Sequence, residues 1–224
     1  LIVTLQSFIS RANANWAGAG YVAGIVLAAA WLIRWRARWW LIGAVAMQAV
    51  VAVLFLACVL MPPLADTLGL ANAFNRAKGW EQMTEEIANR AMREPAGSLS
   101  AVAVDDRFMF NAAAYYGREY FGRNGEPPLK MWVREAHPQN QAETTQPLTP
   151  ELGKRVLAVS LEPAFAPEMA ADFKSASGYQ IVSVWLDSKR RRRAEMFIGE
   201  TFAPMPRDPV TGLPVRKPPI PKQP

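Results

Sequence analysis

Two long apolar runs without formal charge occupy the first part of the chain, and a segment of mixed polar and apolar residues follows them. Charged residues are absent from 12–33 and from 39–65, and Arg34, Arg36 and Arg38 lie between the two runs. A helix needs about 20 apolar residues to cross a hydrocarbon core of about 30 Å. The pattern therefore predicts a membrane α-helical hairpin with spans at about 12–33 and 39–64.

The three arginines between the runs predict the orientation of this hairpin. Arginines in a short loop between two spans mark the cytoplasmic side of a membrane. Both outer ends of the hairpin, and everything after Ala65, are therefore expected outside the cytoplasm. We interpret residues 1–10 as the tail of an earlier membrane helix, so that 1–65 is a transmembrane region and the chain is the C-terminal piece of a larger multi-pass protein.

The second part of the chain has the pattern of a small external domain. Residues 66–95 predict a connector and an amphipathic helix from Trp80, whose apolar positions fall on one face. Between 96 and 202, helical patterns at 108–120 and 168–175 alternate with predicted strands at 98–104, 129–134, 155–161, 179–186 and 194–202. This order predicts an α/β domain with a mostly parallel sheet, whose last two strands pair antiparallel. The proline-rich tail, 203–224, is expected to be extended or disordered.

The positive charge is concentrated in two places. The formal net charge is +6, and much of it comes from the loop arginines and from the run Lys189, Arg190, Arg191, Arg192 and Arg193. This distribution favours a protein that lies beside anionic lipid headgroups over one that binds nucleic acid. The basic run is either a contact for lipid phosphates or an anionic substrate, or a solvated hairpin turn.

The strongest candidate for a ligand site is Asp105-Asp106-Arg107, followed by Tyr116 and Arg118. It lies where a predicted strand ends and a helix begins, and ligands of open α/β sheets bind at that edge. A carboxylate beside an arginine can hold sugar hydroxyls or a phosphate. An aspartate before a helix also caps its free N–H groups, so both interpretations stay open.

A second polar group, Asn13, Asn15 and Trp16, lies at the external end of the first run. It either lines a cavity for a lipid headgroup or caps the helix at the membrane interface. No metal or cofactor site is predicted. His137 is the sole histidine, the sole cysteine lies in an apolar run, and no glycine-rich phosphate loop follows the first strand.

Several of these segments together resemble one family. The segment 11–17 (RANANWA) is similar to the entry of a late span in bacterial glycosyltransferases of family 39, which are relatives of protein O-mannosyltransferases and of the lipid A aminoarabinose transferase. Gly79-Trp80 resembles the family's RGW segment. The segment 104–107 (VDDR), Tyr115-Tyr116 and Trp132 resemble its external stretch with the pattern DDR, YY and W.

The resemblance implies that the hairpin is the end of a GT-C transmembrane bundle in a bacterial inner membrane, with the α/β domain in the periplasm. It implies transfer of a sugar from a polyprenyl-phosphate donor to lipid A, a glycan or a protein, without a cofactor. The catalytic carboxylate of such enzymes lies far upstream, so no catalytic residue is expected in this part. The expected partners are membrane lipid, the lipid-linked sugar and upstream helices. The alternative is a non-enzymatic membrane-anchored module that binds a glycan or a partner protein.

Overall fold

The computed structural model describes residues 18–70, 74–187, 189–208 and 210–215. The chain divides into two compact units, Leu1–Gly69 and Leu70–Pro224. The described residues of the first unit form three helices, α1 (Gly18–Arg34), α2 (Arg38–Leu60) and α3 (Pro62–Thr67). The predicted helix tail at 1–10 and the start of the first predicted span lie outside the described residues.

Helix α2 is the one helix of the described residues that is long and apolar enough to cross a membrane. It has 23 residues, whereas the described part of α1 has 17. Both helices expose large apolar side chains, such as Tyr21 and Trp39, over most of their length. Apolar surface of this extent favours contact with other apolar groups over contact with water.

The second unit is built on a five-stranded sheet with the order β2-β1-β3-β5-β4. The strands are β1 (Ala101–Val104), β2 (Leu129–Met131), β3 (Arg155–Ser160), β4 (Phe173–Trp185) and β5 (Arg191–Phe202). Strand β1 pairs parallel with β2 and β3, whereas β5 pairs antiparallel with β3 and β4. The prediction of an α/β domain is confirmed, but the sheet is mixed, because the last hairpin inserts its second strand beside β3.

Helices cover the sheet and complete its two cores. They are α4 (Trp80–Met92), α5 (Arg107–Tyr116), α6 (Arg118–Phe121), α7 (Gln141–Thr145) and α8 (Ala166–Ala171). On one side of the sheet, Met83 and Ile87 of α4 and Met109 of α5 pack on alternate residues of the strands. On the other side, Trp132, Met169 of α8 and Phe197 form a second core. The predicted helix at 108–120 is therefore two helices, which meet at Gly117.

The start of the tail is held against the second core by one buried carboxylate. Asp172 is fully buried and accepts hydrogen bonds from the indole N–H of Trp132 and the backbone N–H of Met205, both at 2.7 Å. Arg207 donates to both oxygens of the same carboxylate, at 3.1 and 2.8 Å. Met205 and Arg207 are thus hydrogen-bonded to the α/β unit, although the tail from 203 onward was expected to be extended or disordered. Residues 216–224 lie outside the described residues.

Candidate functional site

Strand β5 is longer than its neighbour β3 and extends beyond the carboxyl end of β3. Its pairing with β3 begins at Glu195, opposite Ser160 at the carboxyl end of β3. Residues 191–194 pair only with β4, from Arg191 opposite Trp185 to Ala194 opposite Val182. We call these four residues the overhang. It projects past the carboxyl ends of the parallel strands, which is the edge where open α/β sheets bind ligands.

A cavity of about 820 Å³ lies at this edge. Its walls are the loops after β1 and β3, the overhang, and the connector that leads into α4. The lining residues are Asn75, Arg76, Trp80, Asp105, Asp106, Arg107, Phe108, Leu161, Glu162, Phe165, Leu186, Arg191, Arg192 and Arg193. Its volume falls within the range of about 300–1,000 Å³ that is common for ligand pockets.

Asp105 links the ends of the two central parallel strands. Its carboxylate accepts a hydrogen bond from the hydroxyl of Ser160 and one from the backbone N–H of Leu161, at 2.9 Å. Burial raises the pKa of Asp105 to about 6, and the charge of Asp106 adds to this rise, although the hydrogen bonds from Ser160 and Leu161 oppose it. Both carboxylate oxygens of Asp105 therefore accept hydrogen bonds from within the protein.

Asp106 caps helix α5. Its Oδ1 accepts a hydrogen bond from the backbone N–H of Met109 at 2.8 Å, and its backbone is extended, as is typical of an N-cap. The capping interpretation of this aspartate is thus confirmed. Asp105 and Asp106 therefore both serve the fold, the first through both carboxylate oxygens and the second through Oδ1.

A row of stacked side chains forms one wall of the cavity. The guanidinium of Arg192 lies 3.4 Å from the ring centroid of Trp80, the ring of Trp80 is 6.4 Å from that of Phe108, and Arg107 lies 4.9 Å from the Phe108 centroid. Arg192 also donates to the carbonyl oxygens of Asn75 and Lys78, at 3.2 and 3.1 Å. Burial lowers the pKa of Arg192, while the charge of Asp106 opposes this shift. The row fixes two arginines in place.

The cavity carries an excess of positive charge. Its lining includes five arginines and three carboxylates, those of Asp105, Asp106 and Glu162. The five arginines form no ion pair within the described part of the chain, where the arginines that do so are Arg90, Arg134, Arg155 and Arg207. Arginine presents N–H donors in a planar fork that matches carboxylate and phosphate groups. The arrangement is therefore suited to binding an anion.

The other candidates from the sequence do not line this cavity. Arg118 donates to the carbonyl of Tyr115 at 3.0 Å and lies over its ring, and the rings of Tyr115 and Tyr116 are in contact. The backbone N–H groups of Lys189 and Arg190 bind the carboxylate of Asp187, which lowers the pKa of Asp187. Asn13, Asn15 and Trp16 lie outside the described residues.

Two features of the cavity were not foreseen in the sequence. The basic run was expected to be a contact for lipid phosphates or an anionic substrate, or a solvated hairpin turn. Its last three residues, Arg191, Arg192 and Arg193, instead begin β5, which was expected to start at Ala194, and they line the cavity. Asn75 and Trp80 also line it, whereas Trp80 was expected on one face of a helix and as part of the segment that resembles RGW. The sequence signal that could have indicated this wall of the cavity is the polar and aromatic segment 75–80, at the start of the helix.

Within the ranges that the structure describes, no group of three His, Cys, Asp or Glu side chains lies close enough to hold a metal ion. Comparisons of the chain with family models, with curated proteins and with solved structures gave no match. The assignment of a function therefore depends on the cavity, the apolar helices and the sequence motifs.

Proposed function

We propose that this chain is the C-terminal part of an integral-membrane glycosyltransferase similar to family 39. In this proposal the whole protein transfers a sugar from a polyprenyl-phosphate donor to an external acceptor, which is lipid A, a glycan or a protein. The observation that carries the proposal is that Asp105-Asp106-Arg107, part of the segment that resembles the family, lines an arginine-rich cavity at the ligand edge of the sheet. A lipid-linked sugar phosphate has the charge and the hydroxyl groups that this lining favours.

The proposal assigns α1 and α2 to the end of a GT-C bundle in a bacterial inner membrane. Helix α2 supports it through its length and apolar composition, and Arg34, Arg36 and Arg38 support a cytoplasmic loop. The α/β unit is then periplasmic, and upstream helices of the same protein pack beside α1. Gly20 and Gly24, where an added Cβ would meet no atom within 4 Å, leave room for such close packing.

The chain is expected to contribute binding and not the chemical step. Transfer of this type needs a carboxylate that can accept a proton from the acceptor. Asp105 and Asp106 are engaged in hydrogen bonds of the fold, as described above. The resemblance assigns the catalytic carboxylate of such enzymes to the first external loop, and on that ground we place it upstream of Leu1.

The test is a transfer assay on the full reading frame that contains this chain. The purified protein, in lipid nanodiscs with labelled polyprenyl-phosphate sugars and candidate acceptors, is expected to label an acceptor. The chain from Leu1 to Pro224 alone is expected to label none above background. Turnover by this chain alone that disappears in Asp105→Ala would overturn both the mechanism and the family assignment.

A non-enzymatic module that binds a glycan or a partner protein is the second candidate. The observation that favours it is the arginine-rich lining of the cavity, which can bind an anionic group of a glycan or a protein without any chemical step. The same assay separates the two candidates. Saturable binding of a glycan by the full protein, with no transfer from any lipid-linked sugar, would support the module and refute the transferase.

A further inference from the structure

We propose that the cavity at the carboxyl edge of the sheet is a binding site for the phosphate of a phosphorylated carbohydrate. Arg107, Arg191 and Arg193 contact the phosphate, and Arg192 is a positioning residue that fixes the overhang over Trp80. The identity of the carrier as a polyprenyl lipid rests on the proposed function. Phosphate binding itself rests on the cavity alone.

The charge in the cavity is unbalanced. The five cavity arginines form no ion pair within the described residues, and they outnumber the three carboxylates of the lining. Mutual repulsion among positive groups that share one cavity costs free energy. Binding of a phosphate removes that cost, because the anion accepts charge-assisted hydrogen bonds from several guanidinium groups at once.

Aromatic rings preorganise two of these arginines. Arg191 lies 4.2 Å from the ring centroid of Trp185, and Arg107 lies 4.9 Å from that of Phe108. A guanidinium stacked on a ring keeps its in-plane N–H groups for a ligand, and it loses less side-chain entropy when the ligand binds. Arg107, Phe108 and Arg191 line the cavity, and a solvated basic turn would need neither contact.

A third observation concerns a buried donor. Asn75 lines the cavity and is buried, and a hydrogen bond from its side chain helps to lower the pKa of Asp187. The Nε of Arg192, in contrast, is buried and has no hydrogen-bond partner within the described residues. Buried polar groups without partners are rare in folded proteins and need an explanation. A small rearrangement of this wall around a ligand would supply a partner to this Nε.

The third carboxylate of the cavity, that of Glu162, indicates that the ligand carries hydroxyl groups beside its phosphate. Glu162 is exposed and lines the same cavity. A carboxylate weakens the binding of a bare anion, but it accepts hydrogen bonds from sugar hydroxyls. The cavity is also much larger than one phosphate group, so a phosphorylated sugar fits both its volume and its mixed charge.

The experiment measures equilibrium binding of hexose 1-phosphate to the full chain in nanodiscs of zwitterionic lipid. We expect saturable binding that Arg193→Gln and Arg107→Gln each weaken about 10-fold, because each removes a charge-assisted contact. Arg193→Lys keeps the charge and loses the planar fork, so an intermediate loss is expected. The matched control is Lys189→Gln, which removes one positive charge from the same hairpin outside the cavity and should change the affinity less than about twofold.

Competition then identifies the source of the phosphate. Displacement by polyprenyl phosphate in the nanodisc assigns a lipid carrier, whereas displacement by inorganic phosphate alone assigns a soluble ligand. Either result supports phosphate recognition. Equal weakening by Lys189→Gln and Arg193→Gln, or binding of unphosphorylated hexose with the same affinity, would overturn the proposal. Circular dichroism identifies any variant that unfolds, and Arg193→Lys then takes its place.

This design separates the two proposals. Binding of the sugar phosphate without any transfer by the full protein would leave the phosphate site standing and refute the transferase. Transfer that is insensitive to Arg107→Gln and Arg193→Gln, with no binding to the cavity, would support the transferase and refute the phosphate site.

Discussion

The guanidinium of Arg192 lies over the indole of Trp80, with its central carbon 3.4 Å from the ring centroid. The contact joins the overhang of β5 to the first residue of helix α4, more than a hundred residues earlier in the chain. Two hydrogen bonds from Arg192 to backbone carbonyls of the connector strengthen it. One side chain therefore holds together two walls of the cavity.

We expect Arg192→Lys to destabilise the α/β unit by about 1–2 kcal/mol, because an ammonium group cannot keep both the stack on Trp80 and the two carbonyl contacts. Chemical unfolding followed by tryptophan fluorescence measures the change. Arg193→Lys is the matched control, since Arg193 is exposed, and it should stay within about 0.5 kcal/mol of the parent. Equal effects of the two variants would contradict the assigned role of the stack.

Asp105 should make stability depend on pH. Burial raises its pKa from 3.8 to about 6, so the folded state binds the proton more tightly than the unfolded chain. The resulting contribution to the free energy of unfolding is complete below pH 3.8 and is lost as the pH rises through about 6, by about 3 kcal/mol. Unfolding curves between about pH 4 and pH 8 measure the loss.

Two variants test this assignment. Asp105→Asn is neutral throughout, and its amide oxygen still accepts a hydrogen bond, so the fall in stability between about pH 4 and pH 8 should shrink. Ser160→Ala removes a hydrogen bond that lowers the pKa of Asp105, so the fall should move to higher pH. An unchanged pH profile in Asp105→Asn would show that another group is responsible.

Replacement of Asp106 by Asn should matter little for stability, because Asn caps a helix about as well as Asp, and we expect a change of a few tenths of a kcal/mol. Asp106→Ala removes the acceptor for the Met109 N–H and should cost about 1 kcal/mol. Both are compared by melting temperature and by transfer activity of the full protein. Normal melting of Asp106→Asn with strongly reduced transfer would refute the purely structural role.

Removal of the Asp172 carboxylate should be severe. Asp172→Ala leaves the N–H groups of Trp132 and Met205 and the charge of Arg207 without their acceptor. A broken buried ion pair costs about 3–5 kcal/mol. Urea unfolding measures the loss, and faster proteolysis after Phe202 should accompany it; a mild effect with a protected tail would contradict the role of Asp172 as its anchor.

The membrane orientation is tested with reporter fusions after Phe202. Alkaline phosphatase, which is active only outside the cytoplasm, is expected to be active there, because the arginines that mark the cytoplasmic side lie before α2. A cytosolic reporter at the same site should be inactive. The opposite pair of results would overturn the predicted topology.

Local patterns were enough to predict much of the second unit. The helix from Trp80 follows from apolar positions on one face, and the structure has it at Trp80–Met92. The antiparallel pairing of the last two strands across the basic turn is also confirmed. The antiparallel pairing of β5 with β3 was not predicted, because whether a hairpin adds its first or its second strand to a neighbour depends on packing between distant segments.

The candidate site was predicted in part. The sequence located Asp105, Asp106 and Arg107 at the edge where ligands bind, and it left open whether they cap a helix. The hydrogen bonds of Asp105 to Ser160 and Leu161 were not foreseeable, since these residues lie about 55 positions further along the chain. The burial that raises the pKa of Asp105 has the same long-range origin.

The sequence by itself determined the elements whose causes are local. Runs of uncharged apolar residues, periodic patterns and the capping aspartate act over one or two helical turns, so they can be recognised without knowing what lies nearby. Only the tertiary structure decided that three arginines of a basic run line the same cavity as Asp105, Asp106 and Arg107. The physical reason is that β5 pairs with β3 only from Glu195, so its first residues project over the sheet edge, and strand register is a property of the assembled sheet.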